Sequence, residues 1–383
     1  MSRVPHRRAI GKTAPVAAGV RSVLQVPVPL GMSATVSAVS SAMSRTGSRT
    51  GSPIEMDDRL RDAAFGAAPG AHVWRFAADP DPWRRWLAAV VLGGQGHYAA
   101  AASGLSGLLA GPDRVLASLA ASTLASHRRQ LGAHGAARPL DALALRLAAP
   151  ALTGGRSTFT DPDGIDPAGA RVDALLGLAA DAIGLGRPAA ARRLLEVARK
   201  AAGSSPSWRV AVRSAWLAAE VELACGDPDA AVEPATSALS DADGRGAVRH
   251  GVKSRLVLAA ALATAGRHGP ARELLGDVTD LAQCHGLAPL VWPAGLLLEQ
   301  CSAGPGASGR PSYGPVPAGT ALTDALTTVF ARADAPLRAA ARRSLWVPSD
   351  MLRTGDTAER SSVGEIHGKY VIGTCQGLTP RDR

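Results

Sequence analysis

Followed along its apolar positions, the chain repeats one phrase: a glycine, then small or apolar residues five, nine and twelve positions later. The phrase reads Gly96, Ala101, Leu105, Leu108; then Gly186, Ala191, Leu195, Ala198; then Gly226, Ala231, Ala235, Ala238; then Gly266, Ala271, Leu275, Val278. A weaker copy is Gly135, Leu140, Ala144, Leu147. Steps of four and three residues keep such side chains on one face of an α-helix. The last three anchor glycines are 40 residues apart and the first two 39. That is the spacing of a repeat array, in which each helical pair buries its apolar face by stacking on its neighbours.

The pattern predicts helix pairs at 83–92 with 98–109, 115–131 with 136–147, 170–184 with 188–201, 209–224 with 228–239, and 252–265 with 270–285. A further apolar stretch at 290–300 reads as a capping helix, giving an all-α helical-hairpin solenoid of about five repeats plus a cap. Asp79-Pro80-Asp81-Pro82 marks the first helix start, with Asp as the cap and Pro inside the first turn. Pro188, Pro228 and Pro270 mark three second-helix starts, where the missing N–H needs no partner. The turn-rich stretch 151–169 fills the wide gap between the second and third anchors and reads as a loop or hinge. It divides a first sub-array, 56–150, from a second, 170–301. A Gly/Pro-rich linker follows at 302–319, then short helices within 320–346 and an unassigned tail, 347–383.

Composition agrees with close helix packing: 46% of residues are hydrophobic and only 4% aromatic, so alanine carries much of the core. The net charge of +10 suggests a polyanion partner until it is placed. Seven basic and no acidic residues lie in 1–54, and residues 304–383 hold ten basic against seven acidic. The repeat body between them holds 25 of each and is neutral, so the array itself is not expected to bind nucleic acid. Residues 1–55 read as a basic, disordered tail. Cys225, Cys284, Cys301 and Cys375 occur singly and read as small buried apolar residues of a reduced, cytoplasmic protein. No apolar run reaches the roughly 20 residues of a membrane span.

A helix, a turn glycine, and a second helix with small residues five and twelve positions on resembles the tetratricopeptide repeat. The resemblance covers roughly residues 80–300, at about 40 residues per unit where that repeat has about 34. It rests best on Ala191 with Ala198 and Ala231 with Ala238, whereas Leu140 stands where Ala is expected. Longer units of this kind resemble the sensor arms of bacterial MalT- and LuxR-type regulators. The likeness implies a right-handed solenoid whose concave groove, formed by the first helix of each pair, takes a protein or peptide partner. Counted back from each glycine, the groove positions are Trp83, Trp86, Arg129, Asp173, Arg213, Trp216, Glu220 and Lys253. Trp and Arg are favoured at binding hot spots.

Catalytic patterns are missing from the sequence. Gly93-Gly94-Gln95-Gly96 has neither the preceding strand nor the following Lys of a phosphate-binding loop, and there is no GxSxG elbow. His127 and His134, seven apart, have no acidic or Cys partner at metal-ligand spacing, and His97, His250 and His268 lie near turns and read as solvated. The expectation is therefore a non-enzymatic protein with no cofactor and no metal. Two terminal features suggest alternatives. Arg7-Arg8 with the small apolar run after it resembles a twin-arginine export signal, although Arg21 breaks the run and Met56 offers a later start. Leu378-Thr379-Pro380-Arg381-Asp382-Arg383 resembles the entry to a LuxR-type helix-turn-helix, which would make the array the arm of a regulator whose DNA-binding domain is truncated or separate.

Overall fold

The computed structural model of the chain describes residues 58–153, 160–203, 206–302 and 328–342, and every regular element among them is helical. The basic tail 1–55, both terminal resemblances, Cys375, the linker 302–319 apart from Ser302, which ends a helix, and the tail 347–383 lie outside the described residues. A short helix, α1 (Asp58–Phe65), and a 3-10 turn, Trp74–Phe76, precede the array. Five pairs follow: α2 (Pro82–Gly94) with α3 (Tyr98–Ser106), α4 (Arg114–Gln130) with α5 (His134–Thr153), α6 (Pro167–Gly184) with α7 (Pro188–Ala202), α8 (Trp208–Cys225) with α9 (Pro228–Gly244), and α10 (Val248–Thr264) with α11 (His268–Cys284). Then come α12 (Ala288–Ser302), a helical turn at 328–331, and α13 (Ala335–Arg342). From α1 to α12 each helix packs on the next in chain order, and α4, α6, α8, α10 and α12 also pack on one another in succession. The first helices of the pairs thus form an inner layer and the second helices an outer one. The chain is an all-α helical-repeat solenoid.

Local chemistry sets the starts. The Asp81 carboxylate accepts from the backbone N–H of Trp83 at 2.8 Å, and Asp113 accepts from Val115 and Leu116 at 3.0 Å each. Asp166 caps α6 through Gly169 N–H at 2.7 Å, and Asp227 caps α9 through Ala230 N–H at 3.0 Å. Such caps satisfy donors that the helix leaves open, each contributing about 1 kcal/mol. At Gly226, φ is +84°, a left-handed conformation that a side chain disfavours.

Outer helices bury the phrase positions and little else: Ala191, Leu195 and Ala198 in α7, and Ala231, Ala235, Ala238 and Ala242 in α9. Ala235 is fully buried among residues of α8, α9 and α10. Ala235→Leu is expected to cost about 1–3 kcal/mol by overpacking, whereas Ser237→Leu, exposed on the same helix, stays within about 0.5 kcal/mol. Urea denaturation of the two variants checks the register.

Several boundaries differ from the sequence reading. The left-handed glycine before α5 is Gly132, φ +70°, not Gly135. Counted from Gly132, the phrase is Ala137, Asp141, Ala144, all fully buried. Leu140 is thus not a misfit at an Ala position, because the register moves by three. Within the stretch 151–169, α5 runs on to Thr153, α6 starts at Pro167, and the two helices pack directly, while residues 154–159 lie outside the described residues. Its described part is a buried clamp, where Asp161 accepts from the N–H of Asp163 at 2.8 Å and Asp163 accepts from the indole N–H of Trp208 at 2.6 Å. Cys301 is buried, but Cys225 and Cys284, the last residues of α8 and α11, are exposed and not buried as expected. The short helices of 320–346 are described only in part, as the turn at 328–331 and α13.

The array curls until its ends meet. A Cβ on Gly96, after α2, would stand 3.5 Å from Pro289 of α12 and 3.3 Å from Val329. The Ala99 N–H donates to the Arg332 carbonyl at 2.8 Å, which ties the last described segment to α3. The Val248 N–H donates to the Gly66 carbonyl at 3.1 Å, so the chain just after α1 is fastened to the start of α10.

Candidate functional site

Because the inner helices curl toward one another, their inner faces line a partly open cavity of about 320 Å³ with walls from α2, α4, α6, α8, α10 and α12. That is the lower end of the range for small-molecule sites. Of the eight predicted groove residues, Trp86, Arg129, Asp173, Arg213, Trp216, Glu220 and Lys253 stand on its wall. Trp83 does not: it is half-buried, edge-on to Trp86 with ring centroids 6.0 Å apart. Beside this surface α1 packs with Leu60, Ala63, Ala64 and Phe65 buried, Phe65 against Trp86 and under Arg209, and the cavity itself stays partly open.

Three charged groups line the wall. In the first, Arg129 donates to Asp141 of α5 and, at 3.3 Å, to Asp181 of α6, and both carboxylates are sealed from solvent. The His134 Nδ1 stands 4.0 Å from Asp181. Burial pushes the Asp141 carboxyl up to about 7 against the pull of Arg129, and Asp181 also rises by burial. Gly177 makes this approach possible, because a Cβ there would overlap the Asp141 carboxylate.

In the second group, Asp173 pairs with Arg213 and, at 3.4 Å, with Arg209. The Arg209 guanidinium also donates to the Asp163 carbonyl at 2.5 Å and lies 4.4 Å over the Phe65 ring. Arg249 donates only to main chain, to the Val90 carbonyl at 3.4 Å and the Ala64 carbonyl at 3.2 Å. No carboxylate among the described residues pairs with it. Burial first, and then Arg209 and Arg213, push Arg249 down to about 10.

In the third group, Lys253 reaches Glu220 at 3.2 Å and stands 5.7 Å from the Trp216 ring centre. The Trp216 indole N–H donates to Ser254 at 2.7 Å, and its ring stacks on His250. His250 is buried between Trp208 and Trp216, not solvated, and burial with the nearby arginines holds it neutral well below its ordinary range. His127 and His134 are on different helices and both line the cavity, lowered by burial to about 3 and about 4.

Arg209, Arg249 and His250 escaped the sequence reading. Arg209 and Arg249 lie four residues before Arg213 and Lys253, one turn back on the same inner face, so extending the face to the helix start would have found them. Among the described residues no group of three or more His, Cys, Asp or Glu is placed to hold a metal ion, and no helix is long and apolar enough to cross a membrane. Neither a scan against protein-family models nor a search of curated proteins returns a match for this chain.

Proposed function

We propose that this chain is a non-enzymatic binding protein of tetratricopeptide-like build, whose partner seats a small group or a short segment against the inner helix faces. The observation that carries the reading is the convergence of six inner helices on one cavity that holds tryptophans, arginines and a lysine together. Aromatic rings and guanidinium groups in a partly desolvated pocket are the side chains that dominate recognition. The neutral repeat body argues for a specific partner over a polyanion.

A second reading, the sensing arm of a regulator, draws on the contact between the two ends of the array. An occupant touching α2 and α10 at once would shift the balance between a closed and an opened curl.

The double variant Arg213→Ala with Trp216→Ala tests the binding reading. It is expected to keep its helical circular dichroism while losing at least tenfold of whatever the wild-type chain retains in affinity capture from its host, followed by mass spectrometry of proteins and small molecules. Full retention by the folded variant would remove the inner faces from recognition.

A further inference from the structure

The charge on the wall is lopsided at one place. Arg209 and Arg213 lie one turn apart on α8 and share the single carboxylate of Asp173. Arg249, on the adjacent α10, belongs to the same cluster, because Arg209 covers the Phe65 ring while Arg249 bonds the carbonyl of the preceding residue, Ala64. Asp163 redresses the balance only in part: its charge acts on Arg209, but it gives Arg209 a bond through its carbonyl alone and turns its carboxylate to Arg61 and the Trp208 indole. Three guanidinium groups thus have one directly paired carboxylate among them on the wall of a partly open cavity. Elsewhere on the wall the cations are matched, Arg129 by Asp141 and Asp181, and Lys253 by Glu220.

Gathering like charges away from water is unfavourable unless an opposite charge joins them. The guanidinium fork fits carboxylate and phosphate oxygens two at a time. Arg249 has donors beyond the two that bond main chain, and the bond to the Val90 carbonyl is long at 3.4 Å. Beyond the cluster the wall turns apolar, with Trp86, Val90, Leu119, Leu176 and Leu256.

We propose that the cavity binds a small organic oxyanion, with a carboxylate or phosphate head held by Arg209, Arg213 and Arg249 and an apolar body against Trp86, Leu176 and Leu256. The assignment rests on the reading of the inner faces as the recognition surface, and it supplies the ligand class. The volume admits a single ring or a short chain with its head group, and a folded polypeptide does not fit. His127 and His250, neutral by burial, add ring surface without competing charge.

Isothermal titration calorimetry on the full chain tests it with phenyl phosphate, benzoate, inorganic phosphate and benzyl alcohol. Phenyl phosphate or benzoate is expected to bind with Kd of about 1 mM or tighter, and whichever binds more tightly names the head group. Benzyl alcohol, which lacks the charge, and inorganic phosphate, which lacks the body, are each expected to bind at least tenfold more weakly. Arg249→Met is expected to weaken the better anion at least tenfold while leaving benzyl alcohol unchanged. Ala180→Phe, which narrows the cavity from the α6 wall without touching a charge, is expected to abolish binding and serves if Arg249→Met does not fold. Equal binding of benzyl alcohol and the anions, no anion binding at 10-fold above that Kd, or anion binding untouched in both variants would overturn the proposal. If the anions fail while Arg213→Ala with Trp216→Ala still loses its captured species, the ligand class falls and the binding surface stands. If the anions bind and that variant keeps its captured species, the external partner is bound elsewhere.

Discussion

Arg129→Met is expected to destabilise the fold by about 3–5 kcal/mol at pH 8, and by clearly less at pH 5. Arg129 is the cation between Asp141 and Asp181, and neither carboxylate has solvent to fall back on. Removing it leaves two like charges facing one another in a buried site, where the cheapest response is to take up a proton. Asp141 already sits at about 7 with Arg129 present, and both carboxyls rise further without it. A carboxyl whose folded pKa is raised binds more protons in the native than in the unfolded state between about pH 4 and the raised value. Its contribution to stability is therefore present at low pH and lost as pH rises through that window, the reverse of an ordinary ion-paired aspartate.

The buried histidines work in the opposite direction. His127, His134 and His250 are lowered, so the unfolded chain binds more protons below about 6.5 and stability drains away as pH falls toward the folded values. That term is shared by wild type and variant, so the quantity to read is their difference. His127 and His134 depart from strict cancellation, since Arg129 helps to hold both neutral, and Asp181 stands 4.0 Å from His134. In the variant His134 gains a proton more easily and pairs with Asp181, which again shrinks the difference at pH 5. Urea denaturation at pH 8 and pH 5 gives the two values. Equal losses at both pH values would mean that the carboxylates find another partner. Adding Asp141→Asn to Arg129→Met is expected to recover a large part of the loss at pH 8, because it removes one of the two facing charges.

The same aspartate explains where the sequence could and could not be read. Four copies of the glycine phrase place an apolar or small residue nine positions on, and each of those is buried in an outer helix. In the second copy that position is Asp141, so the apolar pattern fades and the eye slides to Gly135. The inner faces were legible for a different reason: each first helix runs into its turn glycine, so counting back fixes the rotation, and at Arg129, counted from Gly135 instead of Gly132, a slip of three residues still lands on nearly the same face. Seven of eight residues found that way meet on one cavity wall. The seat of α1 was not legible, because it is a helix of eight residues with no glycine phrase, held in place by long-range contacts to α2, α8 and α10. Periodicity carries no information about an element so short, and the buried state of His250 follows from Trp208 and Trp216 on another helix, not from its own neighbours.

The seat of α1 leads to the second large effect. Phe65→Ala combined with Arg61→Ala is expected to release α1 from the inner face while the repeat pairs stay folded. Phe65 is 4% exposed, packed against Trp86 at 5.9 Å between ring centroids and under the Arg209 guanidinium. Truncating a buried phenylalanine removes about 3–5 kcal/mol, and a helix of eight residues has no stability of its own to set against that loss. Arg61 adds two ion pairs, to Asp161 at 2.6 Å and to Asp163. The array beneath is stacked pair on pair and does not route its packing through α1, so local opening comes before global unfolding. Hydrogen exchange followed by mass spectrometry is expected to show residues 58–66 and the Val248 amide exchanging at least about a hundredfold faster, with the amides of α6 to α9 unchanged. Release also frees Arg209 and Arg249 from the Phe65 ring and the Ala64 carbonyl, so the variant is expected to take up phenyl phosphate faster than wild type in stopped-flow fluorescence. If exchange rises uniformly across the array, α1 is part of one cooperative unit and not a cover over the cavity. If only the local amides change but uptake does not, the cavity fills by another route, past the contact between Gly96 and Pro289 where the two ends of the array meet.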